Sequence, residues 1–231
     1  MSGPISLSQL PLWDRHESRV LGLLRDALLL LARDRPTGGE VEISRHLYMC
    51  ILRANRENQG RSDNWFDYPP IWEGKNPPHP DTEREQAEKK IPDFQWGYID
   101  HQERDPERSA RHFTIECKRL GIPTKNGWAF NLHYVEDGIR RFCDVGHRYG
   151  NATRSGAMVG YVESMTIGAV LREVNSAAAT LGIAQLRREA ASGRRLYELR
   201  HEFDRAFEET PFRLTHLWVD LRARAAAPRQ G

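Results

Sequence analysis

The sequence predicts an α/β fold, a mixed central β-sheet flanked by helices, and three observations lead there. Two early segments carry apolar residues at helical spacing. Residues 93–100 and 112–120 carry the alternation of a strand instead. Helical and strand patterns then follow one another down to residue 221. The chain has 231 residues, a length that suits one α/β domain with a substantial core. With 39% hydrophobic and 29% charged residues, the class is globular with a polar surface.

Taken in order, residues 1–12 form a loose lead-in. A first helix covers 13–34, with Trp13, Val20, Leu21, Leu24, Leu28 and Leu31 on one stripe, and Pro36 with Gly38-Gly39 ends it. A second helix covers roughly 40–57, its stripe made by Ile43, Leu47, Cys50, Ile51 and Ala54. Residues 58–82 are broken by prolines and glycines yet hold Trp65, Phe66, Tyr68 and Trp72. So many aromatics imply an ordered loop that packs down, or a partner-binding segment, rather than a disordered linker. A short charged helix is expected at 82–90. The strands DFQWGYID (93–100) and HFTIECKRL (112–120) flank a polar loop, which predicts an antiparallel hairpin. A helix at about 130–144, a glycine-bounded strand at 157–162, helices at 163–180 and 183–209, a last strand at 212–221 and a frayed tail complete the expectation. Arg187, Arg188, Arg194, Arg195, Arg200 and Arg205 share the 183–209 segment with Glu189, Glu198, Glu202, Glu208 and Glu209, the mixture of a solvated helix.

Several classes are disfavoured. The longest apolar run, Ala27 to Ala32, is far short of the ~20 residues that cross a bilayer. The first residues lack a basic start followed by an apolar stretch, so a secretory signal is not expected and the location expected is cytoplasmic. Cys50, Cys117 and Cys143 form neither a disulfide framework nor a zinc motif. The nine histidines show no H-E-x-x-H, and phosphate-loop, dinucleotide and G-x-S-x-G motifs are absent. Net charge is only +2, which by itself does not imply nucleic acid. Of 34 basic residues only Lys75, Lys89, Lys90, Lys118 and Lys125 are lysines. The arginine excess suits phosphate recognition, and equally suits an arginine-rich codon bias.

The chemistry lies on the hairpin. On HFTIECKRL, Phe113, Ile115 and Cys117 point one way, and Thr114, Glu116 and Lys118 the other. An anion and a cation on one face of an apolar strand need either solvent or a site. Asp93 follows Pro92 and opens the partner strand, so it can lie beside Glu116. Two adjacent carboxylates repel, and a divalent cation removes that repulsion. All-oxygen ligation selects a hard ion, Mg2+ or Mn2+, able to polarise a phosphate and activate water, with Lys118 beside it. Glu-x-Lys occurs three times and Pro-Asp twice, but only Glu116-Cys117-Lys118 lies on a strand and only Pro92-Asp93 opens one.

At Pro92-Asp93 and Glu116-Cys117-Lys118 the chain resembles the PD-(D/E)xK nuclease superfamily, the restriction-endonuclease-like group. The resemblance implies an αβββαβ core within 40–221, a 1–39 helical extension, an inserted segment at 58–91 and a flexible tail at 222–231. It implies a metal held by Asp93, Glu116 and the main-chain carbonyl of Cys117, with Lys118 catalytic. An acidic residue from the first core helix often joins such sites. Glu42 and Glu40 are the candidates, and Glu40 continues the stripe of Ile43 and Leu47. A helix-start charge is the alternative role for either. The stretches Asn131–Val135, Gly138–Phe142 and Gly156–Val162 also look like members linked to restriction or antiviral defence. Asn131 or Tyr134 is placed near the site or in packing and capping, and Arg140 and Arg141 are candidate nucleic-acid contacts. The expected activity is hydrolysis of a nucleic acid, DNA more than RNA, by a chain that works with partner subunits or as a homodimer. The rival expectations are a catalytically silent subunit with the same fold and an RNA-cleaving toxin.

Overall fold

A computed structural model describes residues 12–78, 85–191, 195–207 and 210–223. The expected lead-in, the start of the charged helix at 82–90, Arg194, Glu208, Glu209 and most of the tail lie outside the described residues. Helices α1 (Leu12–Asp34) and α2 (Glu40–Asn58) follow the predicted stripes. Between them Arg35 sits in the left-handed region at φ 48° and Gly38 at φ 136°, a conformation that favours glycine. Strand β1 (Ile71–Trp72), helix α3 (Glu85–Glu88) and strands β2 (Phe94–Ile99) and β3 (Ala110–Leu120) come next. The segment 130–143 is helical throughout. It begins as α4 (Phe130–Tyr134), widens into a π-turn at Val135–Ile139 and ends as α5 (Arg140–Cys143). Then come β4 (Ser155–Val162), α6 (Ile167–Thr180), β5 (Arg187–Ala191), β6 (Leu196–Phe203) and β7 (Phe212–Asp220).

The strands form one mixed seven-stranded sheet in the order β1-β2-β3-β4-β7-β6-β5. The expected hairpin is present, β2 antiparallel to β3 with Phe94 opposite Ile115. β4 runs parallel to both β3 and β7. Helices cover both faces, so the central strand β4 is buried along its whole length, as expected for parallel pairing. On one face α1 and α2 pack over Phe113, Ile115, Cys117, Val159 and Leu217. On the other, the segment 130–143 and α6 pack over Leu120, Met158, Leu199 and Trp218. α1 is also tied to the sheet by polar bonds. Arg25 forks onto Glu198 at 2.9 and 3.0 Å, and Trp13 Nε1 donates to Ser155 Oγ at 3.0 Å.

The helix expected at 183–209 is replaced by the hairpin strands β5 and β6. Glutamate and arginine favour helices, but Tyr197, Leu199, His201 and Phe203 alternate with Glu198, Arg200 and Glu202, and the period of two wins at a sheet edge that needs a strand. Arg187, Arg188, Glu189, Arg200 and Glu202 remain solvent-exposed as expected, and Arg200 and Glu189 pair across the strands at 2.8 Å. The aromatic segment packs down. Phe66 is buried with its ring 5.5 Å from that of Trp96, and Trp72 lies 5.2 Å from Tyr48. Among the described residues no helix is long and apolar enough to cross a membrane.

The packing at β4 makes one position sensitive. A Cβ on Gly160 would lie 2.5 Å from both Leu120 Cδ1 and Trp218 Cδ1. Gly160→Ala is expected to lower stability by about 1–3 kcal/mol, because the indole has no room to yield. Thermal unfolding followed by circular dichroism checks it, and an unchanged melting temperature would contradict this packing.

Candidate metal centre

The site forms where β2 and β3 part. Their last paired residues are Phe94 and Ile115, so among the described residues no strand lies beside that edge of β3 beyond Ile115. Main-chain N–H groups there still need acceptors. Two carboxylates supply them. Asp93 Oδ2 accepts from Cys117 N at 2.6 Å, and Glu40 Oε2 accepts from Arg119 N at 3.2 Å. Asp93 is anchored in turn, since its carbonyl accepts from Glu73 N at 3.1 Å. Glu40 comes from the first turn of α2, on the stripe that faces the sheet through Ile43 and Leu47.

Glu116 and Lys118 point to the opposite face from Phe113, Ile115 and Cys117, as the alternation requires, yet they are covered rather than solvated. Glu116 is 1% exposed and Lys118 9%. Lys118 Nζ donates to Glu40 Oε1 at 2.8 Å, to Glu116 Oε1 at 2.9 Å and to the carbonyl of Cys117 at 2.9 Å. Those three bonds use every donor of the ammonium. The structure also brings in Arg141, whose Nη1 donates to Glu116 Oε1 at 2.6 Å. Three carboxylates, Glu40, Asp93 and Glu116, thus face two cations.

The electrostatics follow from burial. Asp93 is raised to about 6, chiefly by desolvation, against the pull of Lys118 and the Cys117 N–H. Glu116 is raised to about 8, by burial first and then by the charge of Asp93, against Lys118 and Arg141. Burial works to lower Lys118, but the surrounding carboxylates Glu116, Asp93 and Glu40 more than offset it and hold the ammonium charged. The donor set suits a divalent cation. Glu116 Oε2 is buried and has no hydrogen-bond partner among the described residues. An unsatisfied carboxylate oxygen is costly, and a hard cation shared with Asp93 would satisfy it.

Other expected residues take different places. Glu42 is exposed and folded over Gly38 and Gly39, while Glu40 bonds Lys118 and Arg119 N, so Glu40 and not Glu42 is the helix carboxylate at the site. Arg140 is exposed and no bond joins it to the site among the described residues, while its neighbour Arg141 is engaged with Glu116. Tyr134 and Asn131 serve the fold. Trp218 Nε1 donates to Tyr134 Oη at 2.9 Å, and the phenol O–H in turn donates a hydrogen bond to His216 Nδ1 at 2.7 Å. Asn131 Oδ1 accepts from Gly121 N at 3.0 Å, and its amide donates to Glu173 at 2.7 Å.

Arg141 was the site residue least legible as such, and its placement has a local cause. The π-turn shifts the helix register, and Gly138 lets the segment settle on β3 and β4: a Cβ there would lie 2.4 Å from Met158 Cε and 3.4 Å from Lys118 Cγ. Helical spacing in the sequence does not signal that shift, so there Arg141 is read only as a candidate nucleic-acid contact.

A second donor group lies elsewhere. Asp34, His46 and Cys50 bring one ligand atom each within 4.8 Å of the others. Its centre already holds a cation, because Arg53 donates to Cys50 Sγ at 3.0 Å and to Asp34 Oδ2, which also bonds His46 Nε2 at 2.8 Å. Comparison with known proteins adds no relative: no protein-family model, no curated protein and no solved structure matches the chain.

Proposed function

We propose that the chain is a Mg2+- or Mn2+-dependent nuclease with a restriction-endonuclease-like core. The observation that carries this is the buried, unpartnered oxygen of Glu116, next in sequence to Cys117, whose N–H donates to Asp93, and in contact with Lys118. The element order supports it. α2 precedes the antiparallel run β1-β2-β3, the helical segment 130–143 follows, and β4 returns parallel to β3, an αβββαβ arrangement.

In this reading Asp93, Glu116 and the Cys117 carbonyl hold the cation. When bound, the cation polarises the scissile phosphate and lowers the pKa of a coordinated water. Lys118 orients the attacking water and neutralises charge that develops on the phosphate oxygens. Glu40 holds the Lys118 ammonium in place and so takes the acidic role that α2 contributes. The burial of the cluster excludes bulk water and strengthens each of these interactions. The substrate proposed is DNA, and the biological setting proposed is restriction or phage defence, with partner subunits or a second copy aiding recognition.

The test is incubation of the purified chain with supercoiled plasmid, and separately with single-stranded RNA, in Mg2+, Mn2+ or chelator. Nicked or linear plasmid with either metal, none with chelator and none with Glu116→Ala supports the proposal. Cutting that survives Glu116→Ala contradicts the site. Cutting of RNA alone replaces DNA by RNA as the substrate. Absence of cutting together with absence of metal binding favours the silent scaffold.

A further inference from the structure

We propose that Arg141 is a phosphate-binding catalytic residue with two positions, neutralising Glu116 in the metal-free site and turning to the scissile phosphate once a cation takes Glu116. The inference rests on the metal-nuclease reading above and adds a substrate contact to it.

The contact with Glu116 is the starting point. Oε1 of Glu116 carries two donors, Lys118 at 2.9 Å and Arg141 at 2.6 Å, while Oε2 carries none. A divalent ion on Glu116 Oε2 would stand beside both cations held on Oε1, and their repulsion favours the withdrawal of one of them. Lys118 is the worse candidate, with an 11% exposed side chain fixed by Glu40, Glu116 and the Cys117 carbonyl. The Arg141 side chain is 28% exposed, so it has an open path. Its other contacts are weak. The bond to Tyr149 Oη is long at 3.4 Å, and the guanidinium lies 5.8 Å from the Tyr149 ring centre, at the outer limit of cation–π attraction.

The displaced guanidinium remains tethered to α5 at the edge of the cluster. There it offers the planar two-donor fork that fits two oxygens of a phosphodiester, which an ammonium cannot do. The π-turn and Gly138 place Arg141, and not the exposed Arg140, at this point.

The test compares wild type, Arg141→Ala and Arg141→Lys in two measurements, Mn2+ binding by calorimetry without substrate and plasmid cleavage under saturating metal. The expected result is Mn2+ affinity in Arg141→Ala equal to or above that of wild type, because a competing cation is gone. Cleavage should fall about 10²–10³-fold, the usual effect of removing one transition-state donor, and Arg141→Lys should recover only part of it. Unchanged cleavage in Arg141→Ala overturns the proposal. So does a joint loss of Mn2+ binding and cleavage in both variants, which would mark Arg141 as a structural prop. Failure of wild type itself to bind Mn2+ and cut would instead bring down the nuclease reading, and this inference with it.

Discussion

Replacing Asp93 by asparagine is expected to reduce metal-dependent cleavage by at least about 10³-fold while leaving the fold intact. The side-chain oxygen of asparagine can still accept from Cys117 N, the bond that caps the open edge of β3 at 2.6 Å in the native chain. What is lost is the negative charge that, with Glu116, holds the cation. Lys118→Ala should cost a similar factor for a different reason, since it deletes the cation that meets the developing charge. Glu40→Gln should cost less, about tenfold, because it weakens only the positioning of Lys118. Glu42→Gln should change little, since Glu42 is exposed and, among the described residues, bonds no member of the cluster. Initial rates on plasmid with saturating Mg2+, with melting temperatures as a control on folding, check the series. Equal losses for Glu40→Gln and Glu42→Gln would refute the assignment of the helix carboxylate.

Acid is expected to destabilise the protein by several kcal/mol through buried histidines. Burial lowers His16 to about 4, against a minor raising contribution from its bond to the Trp96 carbonyl. Burial also lowers His201 to about 4, and burial with the nearby His201, at a ring distance of 5.6 Å, holds His216 well below the usual histidine value. A depressed folded-state value means that the unfolded chain takes up protons first. The contribution of His16 and His201 is therefore full above about pH 6.5, falls as pH drops between 6.5 and 4, and is lost below about 4. A shift from 6.5 to about 4 corresponds to roughly 3 kcal/mol for each of His16 and His201. Asp93 and Glu116 are shifted upward and oppose this trend, so the test is a difference between two proteins. Urea unfolding of wild type and His201→Leu at pH 7 and pH 4.5 should show the variant losing less stability over that interval. Parallel losses would contradict neutral burial of His201.

Much of the fold was legible because it rests on periodicity. The stripes of α1 and α2 and the hairpin of β2 and β3 appear where apolar spacing places them. The hairpin in turn brings Asp93, just before β2, to the edge of β3, where its carboxylate accepts from Cys117 N. Charge density misled at 183–209. Intrinsic helix preference was weighed above the two-residue alternation at Tyr197 to Phe203 and the Ser192-Gly193 break before it. β1 was not legible, being two residues inside a Pro/Gly segment and stabilised by pairing with Phe94 and Gln95. Within the site, the choice between Glu40 and Glu42 was decidable from the stripe through Ile43 and Leu47, and the structure follows that stripe. The tie between Arg141 and Glu116 depends on a π-turn, and no spacing rule signals that register shift before the helix is seen packed on β3 and β4.

The central claim is that Asp93 and Glu116 form a divalent-cation site, and Mn2+ titration tests it most directly. Calorimetry on wild type, Asp93→Asn and His46→Ala separates this cluster from the Asp34, His46 and Cys50 group. The account predicts one Mn2+ per chain in wild type and in His46→Ala, and none in Asp93→Asn. Binding that persists in Asp93→Asn and disappears in His46→Ala, or no binding by wild type, would contradict it.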